Sequence, residues 1–149
     1  MNDSNEFREL IRIIERKLGL LNRERNATNT TGCCKVSLAQ CHALVEIGRA
    51  SNISLKELSN ILGLDKSTMS RTVDILVKKE YVIRSQSEMD KRCVNIKLSS
   101  KGKKVFDNIE SRMNEKFKNV FEEIKLEDRE TVLNSMRILV TALGKENFN

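Results

Sequence analysis

Three of the 4 cysteines, Cys33, Cys34 and Cys41, fall within nine positions, and the only histidine, His42, follows directly. Thiolates are soft ligands and strong nucleophiles, so this cluster admits three chemistries. Trivalent arsenic or antimony, or a soft metal, could be held by three sulfurs that converge within one chain or across two. Oxidation could join Cys41 to one of the pair, or one chain to another, whereas a bridge between the adjacent Cys33 and Cys34 would be strained and labile. Reduced thiols could also simply fill apolar space. Cys33 and Cys34 follow Gly32 just before a helix start, where backbone N–H groups lower a thiol pKa. Zinc through His42 is a poorer fit, because neighbouring residues on a helix point roughly 100° apart. Cys93 lies far along the chain and reads as packing or surface.

Nothing else offers covalent chemistry. The chain has no Gly-rich phosphate loop, no C-x-x-C, no carboxylate pair in an apolar setting and a single histidine, which excludes the usual catalytic constellations. No cofactor is expected. Charge is more informative. The 149 residues carry a net charge of +6, and the segment 56–104 alone holds 12 Lys/Arg against 6 Asp/Glu, so the remainder is neutral. A basic excess confined to one segment is the electrostatic footprint of a polyanion binder, since neutralising phosphates releases condensed counterions.

The elements that must position these residues are legible from periodicity. Phe7, Leu10, Ile11, Ile14, Leu18 and Leu21 mark an amphipathic helix over about 5–23, which the polar run "NRERNATNTTG" ends. Ser37 with Gln40 is a capping box, predicting a second helix with Leu38, Cys41, Leu44, Val45 and Gly48 on its inner stripe. Ser54 with Glu57 repeats the signal for a short helix that Gly63 stops. Asp65 then caps "DKSTMSRTVDILVKKE". Two helices joined by about three residues around a glycine have helix-turn-helix spacing. Beyond Glu80 the period becomes two, giving a β-hairpin with Val94, Ile96 and Leu98 inward and the charged tip "SQSEMDK". Ser99 or Ser100 caps a long helix striped by Val105, Ile109, Met113, Phe117, Val120 and Ile124. A last helix carries Val132, Leu133, Met136, Leu139, Val140 and Leu143.

On the second helix of the motif, Met69, Thr72, Val73 and Leu76 share one face, and Ser67, Ser70, Arg71 and Asp74 project from the other. Short hydroxyls with one arginine suit reading of base edges in a major groove. Lys66 and Thr68 are placed for flanking phosphates, and Lys91 and Arg92 extend the hairpin tip toward a neighbouring groove.

At this point the chain resembles the MarR (multiple antibiotic resistance regulator) family of winged helix-turn-helix regulators. The resemblance covers essentially the whole chain and is sharpest at "DKSTMSRTVDILVKKEYVIRSQSEMDKRCVNIKLSSKG", where Asp90-Lys91-Arg92 and "VNIKLSSKG" match the family's wing and the helix start at Gly102. It implies a homodimer clamped by its terminal helices, and base contacts from Ser67, Thr68, Ser70 and Arg71. It also implies Arg92 at the minor groove, braced by Asp90, and loss of operator affinity when a small molecule or a thiol modification acts near the junction of dimer and reader. The chain departs from the family at Glu80, where glycine usually stands.

The expectation is therefore a mainly α protein with a small β-wing: one folded unit in which 37–99 form the winged helix-turn-helix and 5–35 with 100–149 supply dimerisation helices. Wide apolar stripes at both ends have little within one chain to pack on, which favours a symmetric homodimer over an intrachain bundle. With no run of roughly 18 apolar residues and a polar start, the expected location is the cytoplasm, without a membrane. Double-stranded DNA with a pseudo-palindromic operator is the expected partner. The alternatives are a regulator that answers an organic ligand, one that ignores small molecules, and a sequence-neutral architectural DNA protein, which a weak operator preference and a steep salt slope would reveal.

Overall fold

The computed structural model describes residues 2–27 and 36–145, the side chains of 20–27 excepted. Among the described residues, six helices and three short strands run in the order α1 (Asp3–Ala27), α2 (Leu38–Ala50), β1 (Ile53–Ser54), α3 (Leu55–Leu62), α4 (Lys66–Lys78), β2 (Val82–Gln86), β3 (Val94–Leu98), α5 (Ser100–Glu122) and α6 (Arg129–Leu143), with one 3-10 turn at Leu126–Asp128. The mainly α class with a small β-wing is what the periodicity predicts. Contacts group the chain into two compact units, Met1–Asp107 and Asn108–Asn149, and the boundary falls within α5.

In the first unit, side-chain caps start the helices where the sequence places them. Ser37 Oγ accepts from the Gln40 N–H at 3.3 Å while Gln40 Oε1 accepts from the Ser37 N–H at 3.3 Å. Ser54 and Glu57 do the same at 3.1 and 2.9 Å. The Ser54 backbone and hydroxyl both hold the Glu57 carboxyl below its ordinary pKa, the backbone contact more strongly. Ser99, not Ser100, caps α5, its Oγ accepting from the Gly102 N–H at 2.9 Å. The core lies where α2, α3 and α4 meet the sheet. Leu44, Ile47, Leu58, Met69, Val73, Leu76 and Ile96 are its largest fully buried side chains, each contributing about 1.5–3 kcal/mol relative to exposure.

Two local expectations change. Leu38 is 40% exposed, and Ala43 and Ile47 join Cys41 and Leu44 on the buried stripe of α2. Leu38 is the first residue after the cap, so its side chain lies beyond the rim of the core. The sheet also has a third strand: β1 pairs antiparallel with β3, Ile53 opposite Ile96 and Ser54 opposite Asn95, giving the order β1-β3-β2.

The second unit contains most of α5, the 3-10 turn and α6. No residue of α6 is buried, and Met136, Ile138, Val140 and Leu143 are all exposed. Phe117 and Val120 of α5 are exposed too, as are Phe7, Leu10, Ile14 and Leu18 of α1 in the first unit.

Candidate nucleic-acid interface

The α3–α4 pair is a helix-turn-helix whose turn is set by Gly63, left-handed at φ 64° and ψ 29°. No atom crowds a Cβ there, so the backbone angle alone favours glycine. Leu64 then leads to Asp65, the N-cap of α4, which accepts from the Thr68 N–H at 2.8 Å. The Asp65 carboxylate also accepts from the hydroxyls of Ser67 at 2.6 Å and Thr68 at 2.7 Å. These contacts, the Ser67 hydroxyl foremost, hold Asp65 far below the ordinary carboxylate range.

The inward face of α4 is the predicted one, Met69, Thr72, Val73 and Leu76, and all four are buried. Opposite it, Lys66, Ser67 and Arg71 are exposed, with Thr68 and Ser70 half-buried. Arg71 Nε donates to the Ser67 carbonyl at 3.3 Å, which lays the side chain along the preceding turn. Its terminal Nη groups have no partner among the described residues, leaving a fork of donors that suits the O6 and N7 acceptors of guanine.

One residue of this surface is not signalled by any helical spacing. Arg84 reaches from β2 to α4, pairing with Asp74 at 2.6 Å and donating to the Ser70 carbonyl at 3.3 Å. The contact crosses from strand to helix, so the only trace in the sequence is an arginine on an edge strand ten residues after an outward aspartate. The wing strand is thereby tied to the outer face of the helix.

β2 and β3 pair antiparallel from Val82 opposite Leu98 to Gln86 opposite Val94. At the tip, the Asp90 carboxylate accepts from the Arg92 backbone N–H at 3.0 Å, and the Cys93 N–H donates to the Asp90 carbonyl at 2.9 Å. Asp90 thus holds the turn that carries Arg92, and the side chains of Lys91 and Arg92 are exposed. The exit from α4 answers the departure at Glu80. Glu80 takes φ 64°, the left-handed geometry that a glycine would adopt. Its N–H donates to the Val77 carbonyl and that of Tyr81 to the Leu76 carbonyl, at 2.9 and 3.0 Å, closing a Schellman motif without glycine.

Cys33 and Cys34 lie outside the described residues, so the convergence of three sulfurs falls outside them as well. Cys41 is 3% exposed on the buried stripe of α2, and His42 is exposed on the other side. Cys93 is exposed at the base of the wing tip, its Sγ 3.8 Å from Asp90 Oδ2. Among the described residues no three His, Cys, Asp or Glu gather as a metal site. A cleft of about 280 Å³ opens between α2, β3 and the start of α5, with an apolar wall of Ile47, Leu98 and Phe106 and two lysines, Lys97 and Lys103, at its edge. No described helix is long and apolar enough to cross a membrane.

Residues 36–94, from two residues before α2 to the first residue of β3, match the MarR family model. The chain is 31% identical over 100 residues to the HTH-type transcriptional regulator SarZ of Staphylococcus aureus, an alignment covering 66% of this chain and 65% of SarZ, just under two thirds of that relative. Among solved structures, FabT of Streptococcus pneumoniae, determined in complex with DNA, superposes with a TM-score of 0.80 at 19% identity over 95% of this chain and 98% of FabT. A MarR family protein of Bacillus stearothermophilus gives a TM-score of 0.83 at 24% identity over 97% and 99% of the two chains. At those identities the likeness to the solved structures is one of fold, the winged helix-turn-helix.

Proposed function

Because the chain belongs to the MarR family of transcriptional regulators, we propose that it is a homodimeric repressor of double-stranded DNA in which each copy inserts α4 into a major groove and lays its wing beside the adjacent minor groove. The observation that carries this reading is the outer face of α4. Ser67, Thr68, Ser70 and Arg71 stand there over a buried inner face, within the segment that holds the chain's entire positive excess. The solved complex of FabT with DNA supports it by fold. Ser67, Thr68, Ser70 and Arg71 contact bases, Lys66, Lys91 and Arg92 contact phosphates and the minor groove, and Asp90 braces the wing turn. Two copies related by a twofold axis read half-sites about one helical turn apart.

The test compares an operator fragment, taken from the DNA upstream of the gene, with random duplex. Arg71→Ala is expected to weaken operator binding by about 1–3 kcal/mol and relax base preference, whereas Arg92→Ala weakens binding to every sequence and lowers the salt slope. Equal losses on both duplexes for both variants would remove α4 from the role of reader.

The trigger for release is proposed to be thiol-directed, a soft metalloid or metal such as arsenite, or an oxidant, acting at Cys33, Cys34 and Cys41. The spacing of the three thiols supports it, as does the place of Cys41 on the helix that underlies the reader. Replacing all three by serine is expected to abolish release by arsenite or hydrogen peroxide while leaving operator binding intact. The cleft beside Lys97 and Lys103 favours a second reading, an organic anion as the signal. Release by such an anion that survives the triple substitution would select it.

A further inference from the structure

Asp65 Oδ1 lies 2.6 Å from Ser67 Oγ and its Oδ2 lies 2.7 Å from Thr68 Oγ1. An ionised carboxylate only accepts, so the proton in each short contact belongs to the hydroxyl. A hydroxyl has one proton. Ser67 and Thr68 therefore offer only lone pairs to whatever faces the first turn of α4. Three donors converge on Asp65, counting the Thr68 N–H at 2.8 Å, and they keep the carboxyl ionised through the ordinary pH range.

Resting on the reading of α4 as the groove-entering helix, we propose that Asp65 is a positioning residue for sequence preference: by taking both hydroxyl protons it makes the first turn of α4 a hydrogen-bond acceptor, selecting the exocyclic amines of adenine and cytosine. In the major groove those amines are the only base donors, and thymine O4 and guanine O6 and N7 are acceptors that two lone pairs repel. Arg71, one turn later, has the opposite polarity and takes guanine. The reading head is thus acceptor first and donor second. Phosphate oxygens are acceptors as well, so Thr68 has no proton to anchor one, and that role at this end of α4 falls to Lys66.

The test deletes single amines from an operator obtained by in vitro selection with the full-length reduced protein. Each adenine is replaced in turn by purine and each cytosine by 2-pyrimidinone, which remove only the exocyclic amine. Wild-type affinity is expected to fall roughly fivefold or more at one or two positions. There, Ser67→Ala or Thr68→Val binds the intact and amine-deleted duplexes equally. Asp65→Asn keeps a good N-cap but turns one acceptor into an NH2 group aimed at Thr68 Oγ1, which frees the Thr68 proton. That variant is expected to melt near wild type, to lose the amine dependence facing Thr68 and to gain preference for thymine or guanine there, with the guanine facing Arg71 unchanged. Amine deletions uncoupled from both hydroxyls, or an Asp65→Asn protein with wild-type amine dependence, would overturn the inference alone. Selection that enriches no sequence would overturn the operator reading and this inference with it.

Discussion

Glu80 shows how much one backbone angle can ask of a side chain. Both helices of the reader stop by the same turn: at α3 the left-handed position is Gly63, at α4 it is Glu80, and the two share a φ of 64°. A residue with a Cβ is strained there by about 1–2 kcal/mol, and the exposed contact of Glu80 with Lys101, at 3.8 Å, offsets little of it. Glu80→Gly is therefore expected to raise unfolding stability by about 0.5–1 kcal/mol after the entropy of the more flexible unfolded glycine is subtracted. Equilibrium denaturation in urea reads this directly, and an unchanged or lower midpoint would mean that the Glu80 side chain contributes more than its one visible contact. Single residues also mark the limits of the sequence. That Asp65 caps α4 follows from its type and place. That it also takes the protons of Ser67 and Thr68 does not, because rotamers two and three residues along the chain decide it.

At the level of elements, the junction of α4, the wing and α5 is held at the Glu80 and Tyr81 carbonyls. The Ser99 N–H donates to the Tyr81 carbonyl at 3.0 Å, and the Ser99 hydroxyl donates to that of Glu80 at 2.5 Å. A Cβ added at Gly102 would meet the Tyr81 carbonyl oxygen at 1.8 Å. Gly102→Ala must push the first turn of α5 away from the exit of α4, at a cost of about 1–3 kcal/mol or more. The expected outcome is a lower melting temperature together with weaker DNA binding, since the displaced strands carry the wing. Binding that stays at the wild-type level in the destabilised protein would show that the wing's placement does not depend on this contact. The helices, their caps and the inward face of α4 were readable because each rests on a spacing of three or four. β1 was not, since two residues show no period, and Leu38 falls on the inward stripe in sequence yet stands exposed, because a helical stripe takes no account of where the core ends. The tie from Arg84 to Asp74 escaped for a similar reason, lying across elements where no local pattern reaches.

For the whole molecule the decisive feature is the apolar surface left uncovered at both ends of the chain. Phe7, Leu10, Ile14 and Leu18 on α1, and Met136, Ile138, Val140 and Leu143 on α6, are exposed in the single chain, and large apolar side chains gathered on a helix in this way mark an interaction surface. The proposed dimer would cover them. Sedimentation equilibrium is expected to give twice the chain mass of 17.1 kDa, and paired charges, Leu10→Lys with Ile14→Lys or Met136→Lys with Val140→Lys, are expected to produce monomers that bind the operator at least tenfold more weakly, because one reader alone contacts half the site. A wild-type protein that remains monomeric at micromolar concentration would contradict the dimer.

The pairing of β1 with β3 carries an implication for how such a reader can change. Ser54 is at once the last residue of a strand and the cap of α3, so the root of the wing and the start of the helix-turn-helix share one fastening. The ladder beyond it ends at Gln86 and Val94. Residues 87–93 hang past that last rung and are held mainly by their own turn. A change in the length or sequence of the tip is therefore expected to leave the β1–β3 pairing and the cap of α3 in register, so that the wing's reach can vary without disturbing the reader behind it.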